Sequence, residues 1–160
     1  MTAISPLEDL VILVPDHNME HALRGLLTRH QSLRTRSIRH AIICHPGKDP
    51  GCYHGAELIL HSYARSYAHA LVMFDRIGCG QEVKSAEAIS QDVRKRLCNN
   101  GWQDRADVIV LDPELEIWVW TSSPHVDECL GWRDRQPTLR EWLRDRGYWP
   151  DDASKPHPPK

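Results

Sequence analysis

No stretch of this 160-residue sequence stays apolar long enough to span a membrane. The N-terminus also lacks the basic-then-apolar pattern of an export signal, so the expectation is a soluble, cytoplasmic protein with no membrane partner. Cysteine pairs are missing as well. The five cysteines, at 44, 52, 79, 98 and 129, are odd in number and form no CxxC, which fits free thiols in a reducing compartment rather than a disulfide framework. There is no internal repeat, so a stacked-repeat architecture is excluded. Strong charge of either sign is lacking too: a formal net charge of −2 gives no global pull toward nucleic acid.

What is present alternates. Leu10–Val14 and Ala70–Phe74 are continuous apolar runs, and with the mostly apolar Ile38–Cys44 and Ala106–Leu111 they read as strands. Helical spacing separates them. Apolar positions 19, 22, 23, 26 and 27 follow Asn18 as N-cap. Ala56–Tyr67 carries Leu58, Ile59, Tyr63 and Tyr67, and Ser85–Asn99 is closed by Asn100-Gly101. A short helix is expected from Glu114. Thr138 with Glu141 makes a capping box for a last helix that stops at Gly147. The stretches "HPGKDPGCYHG" and "DRIGCGQ" read as glycine-rich loops.

Strands apolar at every position belong to parallel sheets covered on both faces. The fold class is therefore α/β: a mostly parallel four-stranded sheet flanked by helices, with a helical, tryptophan-rich C-terminal part. One domain is expected over residues 1–150. The tail 151–160, "DDASKPHPPK", is expected to be mobile because it has little to bury.

In parallel sheets ligands bind beyond the C-terminal ends of the strands. The residues there are Asp16, His45, Asp75 and Asp112, with Glu20, Asp49, Glu114 and Glu116 within a few positions. Carboxylates gathered at one edge suit a hard divalent cation such as Mg2+ or Mn2+. Asp16 and Asp112 have a competing duty as helix N-caps. Asp75 does not, since about ten residues separate it from the next helix. Gly78 and Gly80 are expected to supply positive-φ turns rather than a phosphate cradle.

Other clusters compete. Residues 21–40 hold five arginines (Arg24, Arg29, Arg34, Arg36, Arg39) and no acid, a pattern that serves either a phosphate-binding face or a solvated helix end. Cys44, His45, Cys52 and His54 have the residue types for zinc without a familiar spacing. Cys79 or Cys52 as a nucleophile lacks a placeable histidine partner. Trp118, Trp120, Trp132, Trp142 and Trp149 suit a core or a partner interface better than base stacking.

The blocks "LVILVPDHNMEHALRGLL", "HPGKDPG", "HALVMFDRIGCG", "LDPELEIWVW" and "SPHVDECLGW", which span most of residues 10–132, resemble a small bacterial protein family encoded within methylation-associated anti-phage defence systems. The Asp-bearing ends of strands one and three also resemble a TOPRIM-type fold. TOPRIM enzymes cleave or join nucleic-acid backbones with Mg2+, using a glutamate after the first strand and an Asp-x-Asp after a later one. The resemblance implies catalytic roles for Asp16, Asp75, Asp112 and Glu116, and metal ligation by Glu20, Asp75, Asp112 and Glu116. Beside that resemblance, guanidinium–phosphate pairing and position after a strand make Arg76, Arg34, Arg36, Arg39 and His45 the candidate substrate contacts. Ile77 stands where the second acid of the motif belongs, and the Pro113–Trp118 block resembles one that follows the last strand in related defence domains. Three functions follow as expectations: a metal-dependent phosphodiester hydrolase, a catalytically degenerate module that recruits another protein of the defence system, or a nucleotide sensor.

Overall fold

The computed structural model describes residues 7–121 and 123–157. The first six residues of the expected domain and the last three of the expected tail lie outside the described residues. The order of elements is β1 (Glu8–Val14), α1 (His17–Leu27), β2 (His40–Cys44), α2 (Lys48–His61), β3 (Tyr67–Asp75), α3 (Ala86–Leu97), β4 (Ala106–Leu111), a 3-10 turn (Leu115–Trp118), α4 (Pro124–Cys129) and α5 (Leu139–Asp145). By compactness the chain divides into two units, residues 1–114 and 115–160.

The sheet of the first unit is four-stranded and entirely parallel, in the order β2-β1-β3-β4. The expected α/β class and parallel sheet are both found. The central strand β1 is buried on both faces, which is why its sequence shows no alternation. Edge strand β4 does alternate, with Asp107 and Ile109 exposed between Ala106, Val108 and Leu111.

One face of the sheet, with Val11, Leu13, Ala70, Val72, Phe74, Ala106 and Val108, packs on α2 and α3 through Ala56, Leu60, Ile89, Val93 and Leu97. Trp102 closes this core and donates its indole N–H to the Leu60 carbonyl at 3.2 Å. The helix α1 lies against β1 and β2 and buries Met19 and Leu23.

Helix boundaries differ from expectation in two places. Asp16, not Asn18, caps α1, accepting from the Met19 N–H at 3.0 Å. The loop "HPGKDPGCYHG" is largely helix: α2 starts at Lys48. Pro50 does not prevent this, because a proline in the first helical turn lacks an N–H that would be unpaired there anyway. That helix ends at His61, before Tyr67, which opens β3 instead.

In the second unit the capping box of Thr138 and Glu141 is present, and Gly147 takes a positive φ of 71° after α5. Trp120 meets Trp149 edge-on at 5.2 Å, and Trp132 meets Trp142 at 5.1 Å. Arg140 covers Trp149, Arg135 covers Trp132 and Arg146 covers Trp142. The tail residues are tied back: the Trp149 indole donates to the Ala153 carbonyl at 2.9 Å, and the His157 N–H donates to the Tyr148 carbonyl at 2.7 Å. No helix among the described residues is long and apolar enough to cross a membrane.

Candidate functional site

The strand order places a switch point between β1 and β3. The chain leaves β1 through α1 toward β2, and leaves β3 through α3 toward β4. Such a point opens a crevice beyond the C-terminal strand ends. Leu13 pairs with Val72, so Asp16 and Asp75 stand equally far along their strands, each three residues past that rung. Asp75 is also the last rung of β3 against Leu111 of β4, which puts Asp112 at the same edge.

Asp49 is the residue that sequence reasoning underrated. It sits in the first turn of α2, half-buried, and accepts the Asp75 backbone N–H at 2.9 Å. Burial pushes its carboxyl above the ordinary aspartate range. The backbone N–H groups of Asp75 and Asp49 pull it down, and the negative charges of Asp16 and Glu114 push it up again. The signal was in "KDPG", where an acid precedes a first-turn proline, but it became visible only once that stretch was helix.

Not every expected site residue joins this edge group. Arg76 donates its Nε–H to Asp112 at 2.8 Å and an Nη–H to the Glu82 carbonyl at 2.9 Å, so it braces two loops. The glycine loop is also occupied. The Gly78 and Gly80 N–H groups both donate to Glu82 Oε1, at 2.8 and 3.2 Å, with the glycines at φ 92° and 82°. They serve as positive-φ turns, as expected. Arg36 and Arg39 lie at the opposite, N-terminal end of the sheet. Arg36 forks onto Asp9 at 2.6 and 3.0 Å, and Arg39 bonds the Leu7 carbonyl at 2.8 Å. They do not line the carboxylate edge, because β1 runs between Asp9 and Asp16. Arg34 is an exposed residue with φ 55° in the connection before β2. The edge of the first unit is no measure of Glu116, which belongs to the second unit and is an exposed residue of the 3-10 turn there.

His45 follows β2 at the expected edge, but its ring lies on glycines of α2. Nδ1 accepts the Gly47 N–H at 2.9 Å, so the neutral ring carries its proton on Nε2. A methyl group on Gly51 would meet Nδ1 at 2.2 Å. Burial lowers the His45 pKa and keeps the ring neutral.

The set Cys44, His45, Cys52 and His54 is not gathered. Cys52 is fully buried and burial drives its thiol far up, while His54 is exposed. Cys79 is fully buried too, with its thiol raised by burial. Neither is the exposed loop nucleophile that its neighbouring glycines suggested.

A different cluster forms instead. Among the described residues, one group of three ligating side chains has its ligand atoms within 4.8 Å of one another: His17, Glu20 and Cys44. His17 and Glu20, three apart, share a face of the first turns of α1. Cys44 pairs with Val14 in the sheet, just before that helix begins. Glu20 Oε2 is 2.7 Å from His17 Nδ1 and 3.4 Å from Cys44 Sγ, and Sγ to Nδ1 is 3.6 Å. The other oxygen, Oε1, accepts a fork from Arg24 at 2.7 and 3.0 Å. Bonds from His17, Arg24 and Cys44 hold the Glu20 carboxyl down at about 2. Burial and then Glu20 raise the Cys44 thiol. No family model matches the chain, and neither a curated protein nor a solved structure matches it.

Proposed function

We infer that this chain is a TOPRIM-like component of a bacterial anti-phage defence system, whose switch-point edge binds a divalent cation together with phosphate groups of nucleic acid. The observation that carries the reading is Asp49. Its carboxylate is kept half-buried in the field of Asp16 and Glu114, on the backbone of Asp75, at the edge where parallel sheets take ligands. Such a carboxylate is stabilised by a cation.

The donors Asp16, Asp49, Asp75 and Glu114 are all oxygen, which suits Mg2+ or Mn2+. Among the described residues no three of them bring ligand oxygens within 4.8 Å of one another, so an ion there would take one or two of these carboxylates, complete its shell with water and phosphate, and supply Lewis acidity toward that phosphate. The chain's own residues organise the edge. Asp16 spends Oδ1 on the α1 cap, Asp49 spends Oδ1 on the β3 terminus, and Arg76 fixes the loop after β4 through Asp112.

The test uses the intact defence system in its host and the purified chain. Asp75→Ala and Asp49→Asn should keep the fold and lose phage protection, together with any Mn2+-dependent cleavage of nucleic acid. Glu87→Ala, on α3, is the control. Wild-type protection in both edge variants would refute the reading.

A second reading, a degenerate module that recruits a protein of the same system, is favoured by one observation. Asp112 already has a partner in Arg76, while Ile77 occupies the second acidic position of the TOPRIM pattern and is exposed. Under it, Asp75→Ala protects normally and changes in the tryptophan-rich second unit do not.

A further inference from the structure

The geometry points to a second metal site, for a borderline divalent ion of the zinc class, formed by His17 Nδ1, Glu20 Oε2 and Cys44 Sγ. It adjoins the carboxylate edge, since His17 follows Asp16 and Cys44 ends β2, but it uses none of the edge acids Asp16, Asp49, Asp75 and Glu114 as a ligand. Mg2+ does not suit this set, because a thiolate and an imidazole select softer ions than an all-oxygen site does.

The distances carry the argument. Zinc bonds of about 2.3 Å to sulfur and about 2.1 Å to nitrogen or oxygen place tetrahedral ligand pairs about 3.6 Å apart for S···N and S···O, and about 3.4 Å for N···O. The observed separations are 3.6 Å for Sγ···Nδ1, 3.4 Å for Sγ···Oε2 and 2.7 Å for Nδ1···Oε2. The two sulfur edges already match the tetrahedron. Only the His17–Glu20 edge must widen, by about 0.7 Å, as an ion replaces the hydrogen bond between them. His17 is exposed and can make that movement by side-chain rotation.

Arg24 completes the arrangement. By holding Oε1 it turns Oε2 toward the other two ligands and limits Glu20 to one-oxygen ligation, the kind of outer hydrogen bond that orients metal ligands. Three protein ligands leave a fourth position for water, the open pattern of zinc sites that do chemistry rather than the closed one of structural sites. On binding, the metal–sulfur bond forms as the Cys44 proton passes to solvent, and the metal–nitrogen bond forms as the Nδ1 proton that His17 gives to the Glu20 hydrogen bond leaves for solvent, the neutral ring then carrying its proton on Nε2.

The test is cobalt titration of the full chain after chelator treatment, with the exposed Cys98 and Cys129 replaced by serine to remove competing thiols. One equivalent of Co2+ should give the near-ultraviolet thiolate-to-cobalt band and the visible bands of tetrahedral cobalt, and Zn2+ should bleach both. Cys44→Ser should abolish the near-ultraviolet band. His17→Ala and Glu20→Gln should weaken binding at least about tenfold, and Arg24→Met about tenfold through orientation alone. Should Cys44→Ser fail to fold, His17→Ala decides, because that exposed side chain has no packing role. Asp75→Ala should leave the cobalt spectrum unchanged, which separates this site from the carboxylate edge. A wild-type titration without the thiolate band would overturn the assignment. So would an unchanged band in Cys44→Ser, unchanged affinity in His17→Ala, or loss of the band in Asp75→Ala.

Discussion

Asp49 illustrates how one side chain can hold a protein below its attainable stability. Its folded pKa is raised, first by burial. The favourable, protonated form is therefore fully present below the ordinary aspartate pKa, and its contribution is lost as pH rises through the raised folded value. Above that folded value the fold carries an ionised, crowded carboxylate. Asp49→Asn removes that charge and keeps an oxygen to accept the Asp75 N–H. In metal-free buffer it should melt above wild type at pH 7, by roughly 0.5–1 kcal/mol, a figure kept small because solvent screens a half-exposed group. The gain should shrink toward pH 4 and below. Added Mn2+ should raise the wild-type melt and leave the asparagine variant still. A pH series of thermal melts with and without Mn2+ checks both signs, and a variant that melts lower at pH 7 contradicts the argument. Glycines give a second contrast at this scale. Gly51→Ala gains helix propensity of about 0.8–1.0 kcal/mol. It also drives a methyl into the His45 ring at 2.2 Å, and overpacking of that kind costs about 1–3 kcal/mol, so the variant should be less stable. Gly25→Ala in α1 meets nothing within 4 Å and should stabilise by about 0.5–1 kcal/mol. Urea melts of the two variants should therefore move in opposite directions.

Elements are joined here by side chains that a pattern of apolar positions does not reveal. Arg105, just before β4, donates to the carbonyls of Tyr67 and Ala68 at 2.9 and 3.1 Å and to those of Ala64 and Gly101 at 3.1 Å each, while its guanidinium covers Trp102 at 5.1 Å. It thus ties the end of the α2 connection, the start of β3 and the turn after α3. A lysine offers a point charge in place of this planar fork. Arg105→Lys should cost about 1.5–3 kcal/mol, the range for hydrogen bonds to charged groups, and the thermal melt measures it. The network between α2 and α3 is of the same kind: Arg96 meets Glu57 and Tyr53, and Lys84 meets Asp92 and Tyr53. This separates what was legible from what was not. Strand ends at Val14, Cys44 and Leu111, the helix start at Ser85 and the cap Thr138 were legible, because apolar runs and local hydrogen-bonding side chains write themselves into a few adjacent residues. The start of α2 was not, since Gly and Pro near it carry loop statistics, while the actual reason for the glycines is a histidine ring six residues from Gly51 and packed on it. The placing of Asp16 and Asp75 at one edge was legible because each follows an apolar run read as a strand of a parallel sheet. The cluster of His17, Glu20 and Cys44 was not, because it depends on β2 pairing beside β1.

At the scale of the whole molecule, the division at residue 114 makes a prediction about autonomy. Every member of the main buried cluster, from Val11 to Val108, belongs to the first unit. That unit contains all four strands and α1–α3, and about 110 residues is ample for a sheet covered by helices to fold alone. The second unit has its own smaller set of buried groups, Leu139 and Trp149, with Trp149 packed on Trp120 and its indole bonded to Ala153. Deleting residues 151–160 should then cost the second unit about 1–2 kcal/mol, because the Ala153 acceptor and the His157 donor are lost while the Trp149 indole is left half-covered. A fragment of residues 1–114 should do better than that comparison suggests. It should keep its far-ultraviolet circular dichroism and unfold in urea in one cooperative step, with a slope roughly seven-tenths of the full chain's, in proportion to the length of chain exposed. It should also keep the cobalt spectrum, because His17, Glu20, Arg24 and Cys44 all lie within it. A fragment that binds hydrophobic dye and melts without cooperativity would show that residues 115–160 complete the fold rather than follow it, and the cobalt titration would then have to be read on the intact chain alone.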